Sequence, residues 1–258
     1  ARKNTAYSTT LNWAPSSILK ATPVTSINTS THEYDPRDIV FNPDGTKMFI
    51  VGSGGREVNE YTLSTGFDLS TVSISVISFS VAAQDTFPTA IRFNTDGTKM
   101  FICGINNKRV YEYTLSTPFS VATASYTQYL YFGSTITPYG LAFNLDGSKM
   151  FIGSSRYYDN SATIREYVLS TAFDISTATF IYSIPFSVGY TITGLGFNPD
   201  GTKMYPLYGD LNDGINIYEY TLSTAFDTST AIYSGVARTC WDSNDRYCGG
   251  IAFNPDST

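Results

Sequence analysis

The side chains that could do chemistry in this chain sit in loops rather than in a recognisable catalytic motif. Asp210 and Asp213 lie three residues apart, and so do Asp242 and Asp245. Either pair could supply the acid and base of glycoside hydrolysis, which needs two carboxyl groups facing each other across the scissile bond. The same oxygens could hold calcium, which takes several oxygen ligands from such loops. Neither pair matches a specific metal-loop pattern, and Asp-rich turns form without an ion. No catalytic residue, metal ligand or cofactor is therefore assigned, and calcium stays as the one ion these loops suggest. His32 is the single histidine. It allows no two-histidine metal site and at most one histidine-dependent triad.

Binding chemistry is better represented. Arg156, Tyr157, Tyr158, Asp210, Asp213, Trp241, Asp242 and Tyr247 combine aromatic faces with planar charged groups. A sugar ring packs its C–H face on an aromatic side chain and exchanges hydrogen bonds with carboxylates and guanidinium groups. These eight residues are the candidate ligand-binding set. Polar, Tyr-bearing loops also occur on surfaces that bind nothing, and that reading stands beside the first.

The elements that must position these loops follow from an internal repeat. Phe-Asn-x-Asp-Gly-Thr/Ser-Lys-Met-Phe/Tyr occurs at residues 41–49, 93–101, 143–151 and 197–205, and a fifth copy begins at Phe253. The repeated Phe residues are 52, 50, 54 and 56 positions apart. A Glu-Tyr-x-Leu-Ser-Thr block follows each complete copy, at residues 60–65, 112–117, 166–171 and 219–224. Periods of this length rich in strand formers indicate a propeller or solenoid, whose units bury their faces against their neighbours. Within a unit, a short apolar run ends at the Asn-x-Asp-Gly turn, where glycine supplies a positive φ. A continuous apolar strand, an alternating strand and a more polar outer strand follow, which makes one four-stranded propeller blade.

The Phe-Asn-Pro-Asp-Gly-Thr-Lys-Met runs at 41–48 and 197–204 resemble the Phe-x-Pro-Asp-Gly-Thr/Ser-Lys signature of bacterial and phage β-propellers, including YVTN-type surface-layer and Tol-associated propellers. The resemblance implies an all-β propeller and says little about activity, because the matching residues are structural. The expected architecture is a single domain over residues 1–258. Blades are expected near 36–83, 88–132, 137–185 and 190–235. A composite blade from 1–30 and 247–258 would close a five-bladed ring and lack one strand, so the chain is expected to continue past Thr258. The divergent loops gather on one rim in this arrangement, opposite the repeated turns, and surface loops are where function concentrates.

Composition narrows the partners. The net charge is −6, charged residues make up only 15% of the chain, and no basic stripe is present. Nucleic-acid binding relies on clustered Lys and Arg, so it is excluded as an expectation. No apolar run is long enough to insert in a membrane. Cys240 and Cys248 bracket a polar loop and could form a disulfide in an oxidising compartment, or be two unrelated thiols. Cys103 falls in a strand and reads as a buried free thiol. The expectation is an extracellular or virion-surface protein: a non-enzymatic binding or structural module that recognises surface glycans through the divergent-loop face. A secreted glycan hydrolase or lyase using loop carboxylates, and a structural subunit of a phage particle or surface appendage contacting other subunits, are the alternatives.

Overall fold

The computed structural model describes residues 5–8, 25–156, 161–188, 191–210, 214–239 and 249–252. They form a β-propeller. Its first blade is built from β3 (Pro36–Phe41), β4 (Lys47–Gly52), β5 (Glu57–Leu63) and β6 (Val72–Ser80). The second uses β7 (Pro88–Phe93), β8 (Lys99–Gly104), β9 (Arg109–Leu115) and β10 (Ala124–Tyr131). The third uses β11 (Ile136–Phe143), β12 (Lys149–Arg156), β13 (Ser161–Leu169) and β14 (Ala178–Val188). The fourth uses β15 (Thr191–Phe197), β16 (Lys203–Asp210), β17 (Gly214–Leu222) and β18 (Ala231–Thr239). Each blade is an antiparallel meander in chain order.

Four complete blades, not the expected five, are present among the described residues. The chain ends contribute only a two-stranded sheet, β1 (Thr5–Ser8) with β2 (Thr25–Asn28), and an extended segment at 249–252. Ile27 packs on the Met48, Ile50 and Leu69 side of the first blade. Gly249 and Gly250 lie against Arg37 and Asp38 of β3, and the Gly249 carbonyl meets Gly194 of β15. The terminal segment thus bridges the innermost strands of the fourth and first blades. A side chain at 249 would collide with the Arg37 carbonyl, so only glycine fits this approach.

Core formation follows the alternation of each strand. Met48, Phe49, Ile50 and Val51 of β4 are all buried, as a strand covered on both faces requires. One clustered core joins Val40, Phe49 and Val58 to Ile91, Met100 and Tyr113 of the next blade. Cys103 is a buried free thiol.

Two repeated devices hold neighbouring blades in register. In the first, Lys47 Nζ binds Glu60 Oε1 at 2.6 Å and donates to the Phe119 carbonyl at 2.7 Å, while Glu60 Oε2 accepts from Val121 N at 2.9 Å. The pair belongs to one blade and caps the turn of the next. Lys99 with Glu112 does the same for Phe173 and Ile175, and Lys149 with Glu166 for Phe226 and Thr228. Glu60, Glu112 and Glu166 are therefore interblade clamps.

The second device joins the two turns on the repeated rim. Phe67, Phe119, Phe173 and Phe226 all adopt positive φ, between 52° and 61°. That conformation is uncommon for an aromatic residue and persists only where the surroundings enforce it. Here each ring stacks on the turn glycine of its own blade, and each Phe amide donates to that glycine's carbonyl. Gly97, at φ +71°, is covered by the Phe119 ring, and an added Cβ would strike it. Gly97→Ala should therefore lower stability by at least the ~1–2 kcal/mol of a left-handed L-residue. Thermal melting of the variant checks this, and an unchanged midpoint would refute it.

The turn carboxylates of Asp44, Asp96, Asp146 and Asp200 each accept from the hydroxyl and the amide of the residue two positions on. Those hydrogen bonds hold all four below the usual carboxylate range. A depressed folded-state pKa contributes stability above the unfolded value, and that contribution is lost as pH falls through the folded one. The melting temperature should fall between about pH 5 and pH 2, more steeply in the native chain than in an Asp96→Asn variant. Parallel slopes would contradict the assignment.

Candidate active site

The asymmetric chemistry of the propeller lies on its innermost strands. The position three residues before each repeated Phe is Asp38, Ala90, Gly140, Gly194 and Gly250, and the position just before the Phe is Val40, Arg92, Ala142, Gly196 and Ala252. One acid and one base thus stand out against small or apolar residues. They find each other. Arg92 Nη1 lies 2.5 Å from Asp38 Oδ2 and donates to the Ile91 carbonyl at 2.5 Å, while Nη2 reaches across the ring to the Leu195 carbonyl at 3.1 Å. Asp38 Oδ2 also accepts from Ile91 N at 3.0 Å, and Oδ1 from its neighbour Ile39 N at 2.9 Å.

An innermost strand has an open edge of backbone donors and acceptors, and this pair satisfies part of it in three blades. The Asp38 side chain is 1% exposed. Burial pushes its pKa up, and the Arg92 charge and the amide donors pull against that rise. The pair ties the innermost strands of the first, second and fourth blades together.

Toward the rim of the divergent loops stand Asp35, Arg37, Phe87 and Tyr139. Arg37 Nη2 binds Asp35 Oδ2 at 2.7 Å, and the Arg37 guanidinium lies 4.8 Å from the centre of the Phe87 ring. Ser53 Oγ also donates to Asp35 Oδ2. Both partners hold one carboxylate oxygen, and Oδ1 takes no hydrogen bond among the described residues. The Asp35 side chain is one-third exposed, so that oxygen is open to water and solutes. Tyr139 occupies the place in β11 that Arg37 holds in β3. Burial raises its pKa, while a hydrogen bond with Ser155 and the nearby Arg37 charge lower it, so the phenol stays a proton donor at neutral pH. The cluster combines an oriented carboxylate, a guanidinium and a phenol against an aromatic wall. It can activate water, stabilise a developing oxyanion and bind an anionic substituent.

The residues singled out from the sequence fare differently. Arg156 and Asp210 end β12 and β16 on the divergent rim, where their backbones pair with Ile136 and Gly214. Tyr157, Tyr158, Asp213, Trp241, Asp242 and Tyr247 lie outside the described residues, as do Cys240 and Cys248 of the expected disulfide. His32 is exposed in its loop. Asp85 is buried and shapes its own loop by accepting from Phe87 N at 2.8 Å and Asn107 N at 2.9 Å. Glu33 plays that part in the first blade, accepting from Asp35 N, Gly54 N and Gly55 N. Among the described residues no group of three or more His, Cys, Asp or Glu could hold a metal ion, and no helix is long and apolar enough to cross a membrane.

No family model and no curated protein matches the chain. Among solved structures it is similar to a provisionally named 6-phosphogluconolactonase from Bacteroides fragilis, with TM-score 0.53 and 11% identity over 79% of this chain and 55% of that one. A second protein of the same provisional name, from Bacteroides uniformis, gives TM-score 0.51 and 12% identity over 85% and 62%. A functionally unknown protein from Desulfotomaculum acetoxidans gives 0.51 and 16% over 87% and 66%. The likeness is one of fold. The chain spans a little over half to about two thirds of the length of these structures. The expectation of a non-enzymatic module recognising surface glycans is corrected here: the two named neighbours carry the name of a lactonase, not of a glycan-binding module, and that name is only loosely related to the glycan-hydrolase alternative.

Proposed function

We propose that this chain is a hydrolase-type enzyme that opens a small cyclic ester at the inner end of the divergent-loop rim. The observation that carries the reading is the Asp35–Arg37–Tyr139 cluster, an asymmetric group of acid, base and phenol beside the buried Asp38–Arg92 pair. The provisional names of its structural neighbours are of the same reaction type. In this reaction water adds to the ester carbonyl while Asp35 Oδ1 takes its proton. Arg37 and Tyr139 donate to the oxyanion of the tetrahedral intermediate. Collapse of that intermediate breaks the bond to the ring oxygen, which recovers the proton from Asp35 and leaves an open hydroxy acid. Such an oriented base acts by geometry first and by its pKa second.

The test is hydrolysis of a panel of γ- and δ-lactones, with and without a phosphate or carboxylate substituent, followed in a pH-stat against the spontaneous rate. A rate proportional to protein concentration is expected for at least one lactone, together with a higher Michaelis constant for its anionic members in Arg37→Gln. No rate above background on any member would overturn the reading.

A further inference from the structure

The outer wall of the second blade carries a feature that neither the clamps nor the innermost-strand residues explain. Three cross-strand pairs stand directly opposite one another on one face of β9 and β10: Arg109 with Tyr131, Tyr111 with Tyr129, and Tyr113 with Tyr126. The β9 tyrosines are buried, whereas Tyr126, Tyr129 and Tyr131 are 41%, 47% and 51% exposed. The Arg109 guanidinium lies 3.8 Å from the centre of the Tyr129 ring and 5.7 Å from that of Tyr131. Among the described residues no carboxylate pairs with Arg109, and its buried Nε has no hydrogen-bond partner.

The other blades do not repeat this tyrosine ladder; the third comes nearest, with Arg165 4.3 Å from the centre of the half-exposed Phe180 ring, but Arg165 also donates to the Tyr167 hydroxyl. The corresponding outer residues are Ser78 and Val76 in the first, Ser183 and Phe180 in the third, and Ala237 and Tyr233 in the fourth.

The second blade also leaves its edge unguarded. β10 is the terminal strand of its sheet, and ASYTQYLY contains no charge, proline or glycine. Edge strands usually carry such residues because an open row of N–H and C=O groups recruits another strand. β14 carries Pro185, and β18 carries Gly235 and Arg238. β6 shares the lack of charge but presents Ser78 and Ser80 in place of rings. Beyond the bulge at Thr127, the β10 register runs regularly from Gln128 to Tyr131. A partner strand laid there would meet backbone groups along its length, tyrosine faces on one side and an unneutralised guanidinium at one end. Tyr and Arg are the residues on which binding energy concentrates.

We propose that this edge docks an acidic extended peptide segment of another protein, added as a further strand beside β10 with a carboxylate on Arg109. Backbone pairing supplies affinity in this mode, and the side-chain pockets supply specificity. The test uses fluorescence anisotropy with fluorescein-labelled Asp-Val-Tyr-Val-Asp, its Lys-Val-Tyr-Val-Lys counterpart, an acidic version N-methylated at alternate amides, and a labelled polygalacturonate oligomer. The acidic peptide should bind about tenfold or more tighter than the basic one, with a preference that fades as salt rises. Arg109→Gln should abolish that preference, Tyr129→Ala should weaken binding, and Tyr233→Ala on the fourth blade should leave it unchanged. N-methylation should remove binding, and this arm decides the matter even where a variant fails to fold. Equal binding of the two peptides, indifference to N-methylation, or binding of the polysaccharide in place of the peptide would each overturn the proposal.

Discussion

Replacing Arg92 with Leu should destabilise the protein by about 3–5 kcal/mol, the usual cost of removing one partner from a buried ion pair. Asp38 would be left 1% exposed with its amide donors but without a countercharge. The Ile91 and Leu195 carbonyls would lose their Arg92 donors as well. The double variant Asp38→Ala with Arg92→Leu should recover part of the loss, because it removes the stranded charge and restores the small residue found at this position in the other blades. A loss in the double variant as large as the sum of the two single losses would show that the pair is not coupled. The effect should also depend on pH in a stated direction. Burial already raises the Asp38 pKa, and loss of Arg92 raises it further. A raised folded-state value favours the protonated form, so its contribution to stability is present at low pH and is lost as pH rises through that value. The Arg92→Leu deficit should therefore be smaller near pH 4 than near pH 8. Denaturant melts at the two values measure it, and a larger deficit in acid would contradict the argument.

Asp35→Asn should reduce lactone hydrolysis by about 10²–10⁴-fold, the contribution of a positioned general base. The amide keeps the size of the carboxylate and can still accept from Arg37 and Ser53, so folding should be preserved. The loss should therefore appear in kcat rather than in the melting temperature. Tyr139→Phe should cost less, because Arg37 still faces the oxyanion. A fully active Asp35→Asn enzyme with a normal melting curve would move the reaction away from this carboxylate.

Much of the architecture could be read from the spacing of four phenylalanines. Strand order, the placement of the turns and the burial of the Met48 strand all follow from one repeat, because every blade solves the same packing problem. The closure of the ring could not be read in the same way. Residues 249–252 enter as an extended segment against β3 and β15, and the N-terminal pairing of β1 with β2 lacks the repeated turns that define a blade. The buried pair beside the candidate site was hidden for a different reason. Searching for variable loops directs attention to the rim, whereas Asp38 and Arg92 lie inside strands whose other residues repeat faithfully. Comparing each strand position across the units exposes them at once, since a charge among alanines and glycines has no packing role to share. The positive φ of Phe67 and its three counterparts left no trace in residue type, because aromatic residues do not ordinarily adopt it.

The interblade clamps also set an order of events during synthesis. Glu60 and Val121 are 61 residues apart in the chain, Glu112 and Ile175 are 63, and Glu166 and Thr228 are 62. No clamp can close until the following unit has left the ribosome, yet none has to wait longer than about one repeat. Each nascent blade is thus briefly exposed and then fastened by its successor, which keeps the entropy of loop closure nearly constant from step to step. The Arg92 contact with Leu195 spans 103 residues and cannot form until the fourth blade has begun to emerge. The Arg92–Leu195 contact thus acts as a late checkpoint, engaging only when the growing arc has curved far enough to bring its two sides together.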